Sequence, residues 1–434
     1  MFGLCEFRSW GETSLVSQTV FAMVCFLALP WAIEAAEFHV AKTADTADIF
    51  CIPGPPAAPP FDCSLREAII KANTLAGPDI IFVPPGHYVL TRAGAGENLC
   101  STGDLDIMDD LTIVGEGPGV IIDAGGLDRV FQSFSNYGST IWLHHLTIRG
   151  GDLQNTSYED GAGILQSHGR LFIVNCLIED NTGKAGVGFG GGIHVVGGST
   201  TNTSLIVIRS TFRGNSSSRG GAIHSYKTSL TIDWSTITDN AGNWGAAIYS
   251  LESAAAIRNS TITGNGGSGD GVIHNIEGPM LVQNCTLANP PVNFTAEESD
   301  DSIDLANNII GGGCEGSYFT TLGGNIEGPG DTCNLQNPGD YSSFPISLMA
   351  LDNYGGPTMT RPPSGTTAAL AVDNPWANPD CYPDDQRGLA RPIDGNGDGT
   401  ADCDTGSVEW TDAEILFLDG FESRFPFAWS ATVG

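Results

Sequence analysis

Five stretches of the chain repeat one pattern of apolar and polar positions: small residues, an isoleucine, then an alternating run that closes at asparagine. The landmark isoleucines are Ile164, Ile193, Ile223, Ile248 and Ile273, spaced 29, 30, 25 and 25 residues apart. Each unit holds two short runs, such as Leu230 and Ile232, then Trp234 and Thr236, with polar residues between. Alternation with period two predicts half-buried strands. A 25-residue unit leaves no room for a crossover helix and cannot bury its own apolar face, so copies must stack. The pattern therefore predicts an all-β fold, a right-handed parallel β-helix whose coils pair at roughly 4.8 Å.

Stacking turns sequence spacing into vertical columns. Ile148, Ile178, Phe212, Ile237, Ile262 and Leu287 fall in one column, and Thr147, Leu177, Thr211, Thr236, Thr261 and Thr286 in the next. A third holds Leu146, Cys176, Ser210, Ser235, Ser260 and Cys285. Asn181, Asn215, Asn240 and Asn265 are expected to form an asparagine ladder at a corner. Residues 105–310 carry the coils. Upstream, in 37–104, Ser64-Leu65-Arg66-Glu67 reads as a capping box opening a short helix, about 64–74, that covers the apolar end of the solenoid. Arg66 and Glu67 are expected to form an ordinary ion pair on the helix face. The strand Ile80–Val83 and the turn Pro84-Pro85-Gly86 follow. Residues 311–410 are rich in Gly, Pro, Asn and Asp and are read as irregular final coils and a closing segment.

The 57 glycines in 434 residues are about twice the usual share and sit in the turns. Residues 1–36 read as an export signal, with the apolar stretch Val20–Ile33 and small residues Ala35 and Ala36 at the cleavage point. The stretch is short for a membrane span and contains Pro30; the alternative is a retained anchor. The net charge is −32, and removing 1–36 leaves 47 acidic against 17 basic residues. That excess opposes nonspecific nucleic-acid binding and favours solubility outside the cell.

Nine cysteines remain beyond residue 36. Cys176 and Cys285 share a column but stand four coils apart, on the order of 19 Å, too far to pair. Cys314–Cys333 and Cys381–Cys403 are plausible local bridges. Cys51, Cys63 and Cys100 compete for one more, and Cys51–Cys63 is favoured because it ties the leader to the cap helix. An oxidising compartment is consistent with this usage. No C-x-x-C pair occurs, which speaks against zinc.

The repeat signals, a glycine-rich start such as GGGI or GGAI and a later Phe/Ile-x-x-Asn, resemble the repeats of chlamydial polymorphic outer membrane proteins. The heptapeptide CSLREAI at Cys63–Ile69 resembles the signature of bacterial secreted β-helix proteins named after it. Asp385–Trp410 resembles the closing segment of the same group. The tail 411–434, with Asp419-Gly-Phe-Glu-Ser423, resembles short sorting tails of exported proteobacterial proteins. These resemblances imply a secreted or outer-surface protein of a Gram-negative bacterium. With the stacked repeats, the export signal, the sorting-like tail and the lack of a catalytic cluster, the expected role is an adhesin-like scaffold that binds glycans or matrix proteins without catalysis.

Three sets of residues are candidate chemistry. His194, His224, Tyr249 and His274 each follow a landmark isoleucine. With isoleucine inward they point outward, a stripe suited to stacking on sugars or accepting a proton; the alternative is a plain solvent-facing column. Asp394, Asn396 and Asp398 match the opening of an oxygen-rich calcium loop, D-x-[DN]-x-[DN]-G, with Asp402 and Asp404 to complete the shell. Thr405 replaces the usual bidentate glutamate, and an ordinary acidic turn is the alternative. A polysaccharide lyase or glycoside hydrolase on the same solenoid is the competing function. It needs facing carboxylates or an acidic cluster with a base. Asp180 and Asp239 stand two coils apart with Gly214 between, and Asp109-Asp110 has no evident partner.

Overall fold

The structure, a computed structural model, describes residues 35–48, 51–54, 62–134, 138–157, 160–198, 202–267, 271–289, 291–296, 302–372, 374 and 381–410. Apart from its last two positions the export segment 1–36 lies outside these residues, and the tail 411–434 lies wholly outside them.

Three long parallel sheets wrap one core: sheet A of 11 strands, sheet B of 10 and sheet C of 9. A coil runs from C through A to B, as in Ile223–Tyr226, Ser229–Asp233 and Thr236–Thr238. The protein is the parallel β-helix that the repeats predict. Ile164, Ile193, Ile223, Ile248 and Ile273 are direct partners in sheet C, and Ile148, Ile178, Phe212, Ile237, Ile262 and Leu287 in sheet B. Almost all of these side chains are fully buried, and their removal from water is the main stabilising term.

Single residues with left-handed φ make the corner between sheets A and B: Asn175, Arg209, Trp234, Asn259, Asn284 and Asn307. Asparagine tolerates that region. Arg209 and Trp234 do not favour it, and there the guanidinium lies 5.6 Å over the indole of the next coil.

Two polar ladders tie the coils vertically. Each Asn of the chain Asn181, Asn215, Asn240, Asn265 donates its side-chain amide to the carbonyl oxygen of the next, at 2.9–3.4 Å, ending on Asn289. In the third column Ser210, Ser235 and Ser260 accept the backbone N–H of the preceding coil. Asn308, Asn325 and Asp340 continue it. Cys176 and Cys285 occupy serine positions, their thiols donating to nearby backbone carbonyls.

The leader enters the solenoid directly, because Glu37–His39 pairs with Asp79–Val83 as the first rung of sheet A. Helix α1 (Leu65–Ala72) follows Ser64, whose hydroxyl accepts from the Glu67 amide while Glu67 accepts from the Ser64 amide. Its buried face, including Leu65, Ala68 and Ile69, covers the end of the core. The expected Arg66–Glu67 surface pair is not formed. Arg66 is fully buried, pairing with Asp45 and donating to the carbonyls of Cys100, Gly103 and Asp104. Glu67 accepts from the Asp48 amide and pairs with Lys42. Both side chains are consumed in pinning the leader and the loop before Leu105, because a cap must satisfy the polar groups it buries.

Residues 311–410 begin with a last coil whose register shifts against its neighbour. Gly313–Gly316, Phe319–Gly323 and Ile326–Glu327 form one more rung. The chain then turns back along the outside of sheet B. Thr358 bonds the Trp234 carbonyl, Arg361 the Thr263 hydroxyl, and Ser407 the Thr286 hydroxyl. Helix α2 (Gly365–Ala371) joins Ile309 and Ile326 in a second small apolar cluster. This roof buries the outward threonines Thr236, Thr261 and Thr286 completely. At its centre Gln386 donates towards the Ser235 and Met359 carbonyls and accepts from Thr261. Gln386→Ala is expected to lower stability by about 2–3 kcal/mol through these orphaned buried groups and to open the closing segment to protease. An unchanged denaturation midpoint would refute this.

The bridges Cys51–Cys63, Cys314–Cys333 and Cys381–Cys403 form, and Cys100, Cys176 and Cys285 are free and buried. Burial pushes each of the three free thiols up to about 12, so they are unreactive at neutral pH.

Candidate functional site

The three faces of the solenoid differ in what covers them, and that decides which side chains meet solvent. On sheet C the outward column reads Asp106, Gln132, Leu165, His194, His224, Tyr249, His274 and Thr295. The four expected stripe residues point away from the core, yet they are only 3–8 % exposed. A solvent-facing stripe is therefore not what forms. The loops that leave sheet B fold across them, placing Phe189, Arg219 and Trp244 in an adjoining column. Arg219 lies between the two rings, at 5.2 and 4.9 Å, and Phe189 packs on His194 and His224. His224 stacks on Tyr249 at 5.1 Å, and Tyr249 packs on His274 at the same distance. Burial, helped by Arg129, pushes His194 down to about 3, and burial holds His224 well below its usual value. Both stay neutral near pH 7. Neither accepts a proton there, and the rings that would receive a sugar are already stacked on each other. The cover residues each stand four positions before a landmark isoleucine, Ile193, Ile223 and Ile248, so they keep the repeat's period although the alternating run does not include them.

At the start of the same face sits a group that sequence reasoning missed. Asp104, Asp106 and Asp128 are each about 1 % exposed, and Arg129 Nη1 lies 3.8 Å from Asp104 and 3.7 Å from Asp128. Asp104 Oδ2, Asp106 Oδ1 and Asp128 Oδ2 have no hydrogen-bond partner. Burial and mutual repulsion raise Asp104 to about 8, and burial raises Asp106 to about 7. These carboxyl groups are sealed from solvent, which excludes direct attack on a polymer.

Sheet B is roofed in its second half by the closing segment. Its first half carries a charge ladder, Asp123, Arg149, Glu179 and Arg213, on consecutive rungs. Arg149 Nε bonds Asp123 at 2.9 Å, and Arg213 pairs with Glu179. Beside it a recess of about 350 Å³ is lined by Asp123, Arg149, Asp152, Asp180, Thr182 and four glycines, Gly125, Gly126, Gly150 and Gly151. Asp180 was visible as a turn residue. Its neighbour Asp152 was not, because it lies in the loop beyond the strand.

Among the described residues no segment roofs the first rungs of sheet A. Its outward positions on the first rungs are Ile80 and Phe82, Thr112 and Val114, Trp142 and His144, Phe172 and Val174, Ile206 and Ile208. All are half-buried except Phe172. Trp142 and Phe172 stack at 3.6 Å and 5°, so each spends a ring face on the other.

In the acidic turn, Asp394 accepts from the Gly397 and Gly399 amides, Asn396 from Asp398, and Asp398 from Thr400. The loop is thus shaped by its own side chains, each keeping lone pairs for a cation. Asp404 does not join it: it is buried and accepts from the Trp410 amide. Among the described residues no group of three His, Cys, Asp or Glu side chains is arranged to hold a metal. No helix among them is long and apolar enough to cross a membrane. No family model, curated protein or solved structure matches the chain.

Proposed function

We propose that this is an exported surface scaffold of a Gram-negative bacterium that binds a partner through the open face of sheet A. One observation carries the reading: over five consecutive rungs, about 19 Å at the coil spacing, the outward column Phe82, Val114, His144, Val174 and Ile208 is apolar or aromatic and half-buried. Contiguous apolar surface of that kind marks an interaction site. Because the Trp142 and Phe172 rings are stacked on each other instead of free to receive a sugar, the partner favoured here is a matrix or surface protein. Export and an outer-surface location draw support from the three disulfides and the acidic surface. The CSLREAI resemblance points the same way.

A panel of immobilised matrix proteins and intact glycans, scored for both binding and product release, tests the reading. Ile206→Asp with Ile208→Asp is expected to weaken retention on a matrix protein at least tenfold while circular dichroism is unchanged. Retention that survives both charges would sink the assignment to sheet A. The competing polysaccharide-processing reading draws on the recess, where Asp123, Asp152 and Asp180 approach one another. There Asp123 is already held by His87, Arg149 and the Gly125 amide, leaving two carboxylates. Release of reducing or unsaturated sugars that is lost in Asp180→Asn would establish it over the scaffold.

Asp394, Asn396, Asp398 and Asp402 are proposed as ligands of one structural calcium ion. Chelation is expected to lower the melting temperature by a few degrees, and superimposable curves with and without chelator would dismiss the ion.

A further inference from the structure

We propose that the recess beside the charge ladder of sheet B binds one neutral sugar residue, at a site separate from sheet A. The argument starts from the donors and acceptors that converge there. Asp180 makes no side-chain hydrogen bond within the described structure, and it lies close enough to Arg149 to interact electrostatically. Asp152 accepts one bond, from the Gln154 amide. Arg149 is fixed by its Nε on Asp123, while Nη1 makes only a 4.0 Å contact with Glu179. Thr182 adds a hydroxyl at the rim. The recess therefore offers uncommitted acceptors and uncommitted donors within one space.

That mixture selects the chemical class. A simple cation would meet the Arg149 guanidinium, and an anion would meet Asp152 and Asp180. A ligand that both donates and accepts without net charge satisfies all of them. A vicinal diol does so, giving two O–H donors to a carboxylate while its oxygens accept from a guanidinium. The volume, about 350 Å³, is at the small end of the range for ligand sites, roughly 300–1,000 Å³, and suits a single ring with a polymer continuing outside. The floor is backbone. A Cβ at Gly150 would stand 2.3 Å from Asp123 Oδ1, and one at Gly151 would stand 1.9 Å from the Ala162 carbonyl oxygen. Gly126 has open space where its Cβ would be. Main chain thus reaches the recess without side chains to fill it.

Saturation-transfer NMR on the full chain tests this, with the methyl glycosides of mannose, galactose and glucose as probes and that of galacturonic acid as the charged control. Transfer to at least one neutral glycoside is expected, at least fivefold stronger than to the acid. Asp152→Asn with Asp180→Asn should weaken it at least fivefold, asparagine being compatible with the left-handed φ of Asp180 (53°). Ile206→Asp should leave it unchanged, which separates this site from the sheet A reading. No transfer to any neutral glycoside, equal transfer to the acid, or undiminished transfer in the double variant would each overturn the proposal.

Discussion

Replacing Asn240 with alanine is expected to cost about 3–5 kcal/mol and to broaden or split the unfolding transition. The side chain is about 1 % exposed and serves three coils at once. Its Nδ2 donates to the Phe212 carbonyl at 3.0 Å and to Asn265 Oδ1 at 2.9 Å, and its Oδ1 accepts the Asn215 amide at 3.0 Å. Truncation takes a partner from the buried Phe212 carbonyl and Asn215 amide on the preceding rung and from Asn265 Oδ1 on the next, each worth roughly 1–3 kcal/mol, and leaves a void besides. Because a solenoid's coils are coupled only to their neighbours, the loss severs the stack at one place. Asn240→Asp, which keeps the acceptor but not the donor, is expected to be no milder, since it buries a charge. Chemical denaturation measures the effect, and a loss below about 1 kcal/mol would mean the ladder is ornamental.

Stability is also expected to fall as pH rises from about 6.5 to 8, opposite to the usual acid-labile behaviour. Asp104 titrates near 8 and Asp106 near 7 in the folded chain, against 3.8 when unfolded. Between those limits the folded state holds protons that the unfolded state has lost. Each such group therefore removes up to about 1.4 kcal/mol per pH unit. The charges facing them are Asp128, Arg129, Glu97 and Arg66. Glu67, Glu97 and Asp123 are held below their usual range by hydrogen bonds and nearby cations. They act the other way, but their contribution is already complete above about pH 4.5, and that of the buried His194 and His224, which offsets the aspartates below it, is complete above about pH 6.5. Asp104→Asn and Asp106→Asn should flatten the curve. Melting temperatures that are level or rising from pH 6.5 to 8 in the unmodified protein would contradict the assignment.

The repeating part of the molecule was legible because its information is periodic. Ile223, Ile248 and Ile273 sit 25 apart and are partners, and the same arithmetic fixed the asparagine and serine columns. Capping chemistry was local and therefore readable at Ser64 and Glu67, although the burial of Arg66 was not. What escaped was contact without period. Gln386 meets Thr261 across 125 residues with no motif to announce it. Phe189, Arg219 and Trp244 are the exception: they keep the period, each four residues before a landmark isoleucine, but they lie in the turn ahead of the alternating run, which says nothing of what they cover. Asp152 joins Asp180 at the recess because a loop, not a strand, delivers it. The outward direction of His194 and His224 followed from alternation, while their exposure depended on neighbours that alternation does not describe.

The closing segment touches sheet B at Trp234, Thr261, Thr263 and Thr286, and then the Asn307 carbonyl and the Gly324 carbonyl. It is a ruler laid along the later coils. Inserting or deleting one 25-residue unit between Trp234 and Gly324 would shift every mark on that ruler, whereas duplication between Ile113 and Phe212 would leave it aligned. Natural length variants of this architecture should therefore gain and lose coils on the amino-terminal side of Trp234.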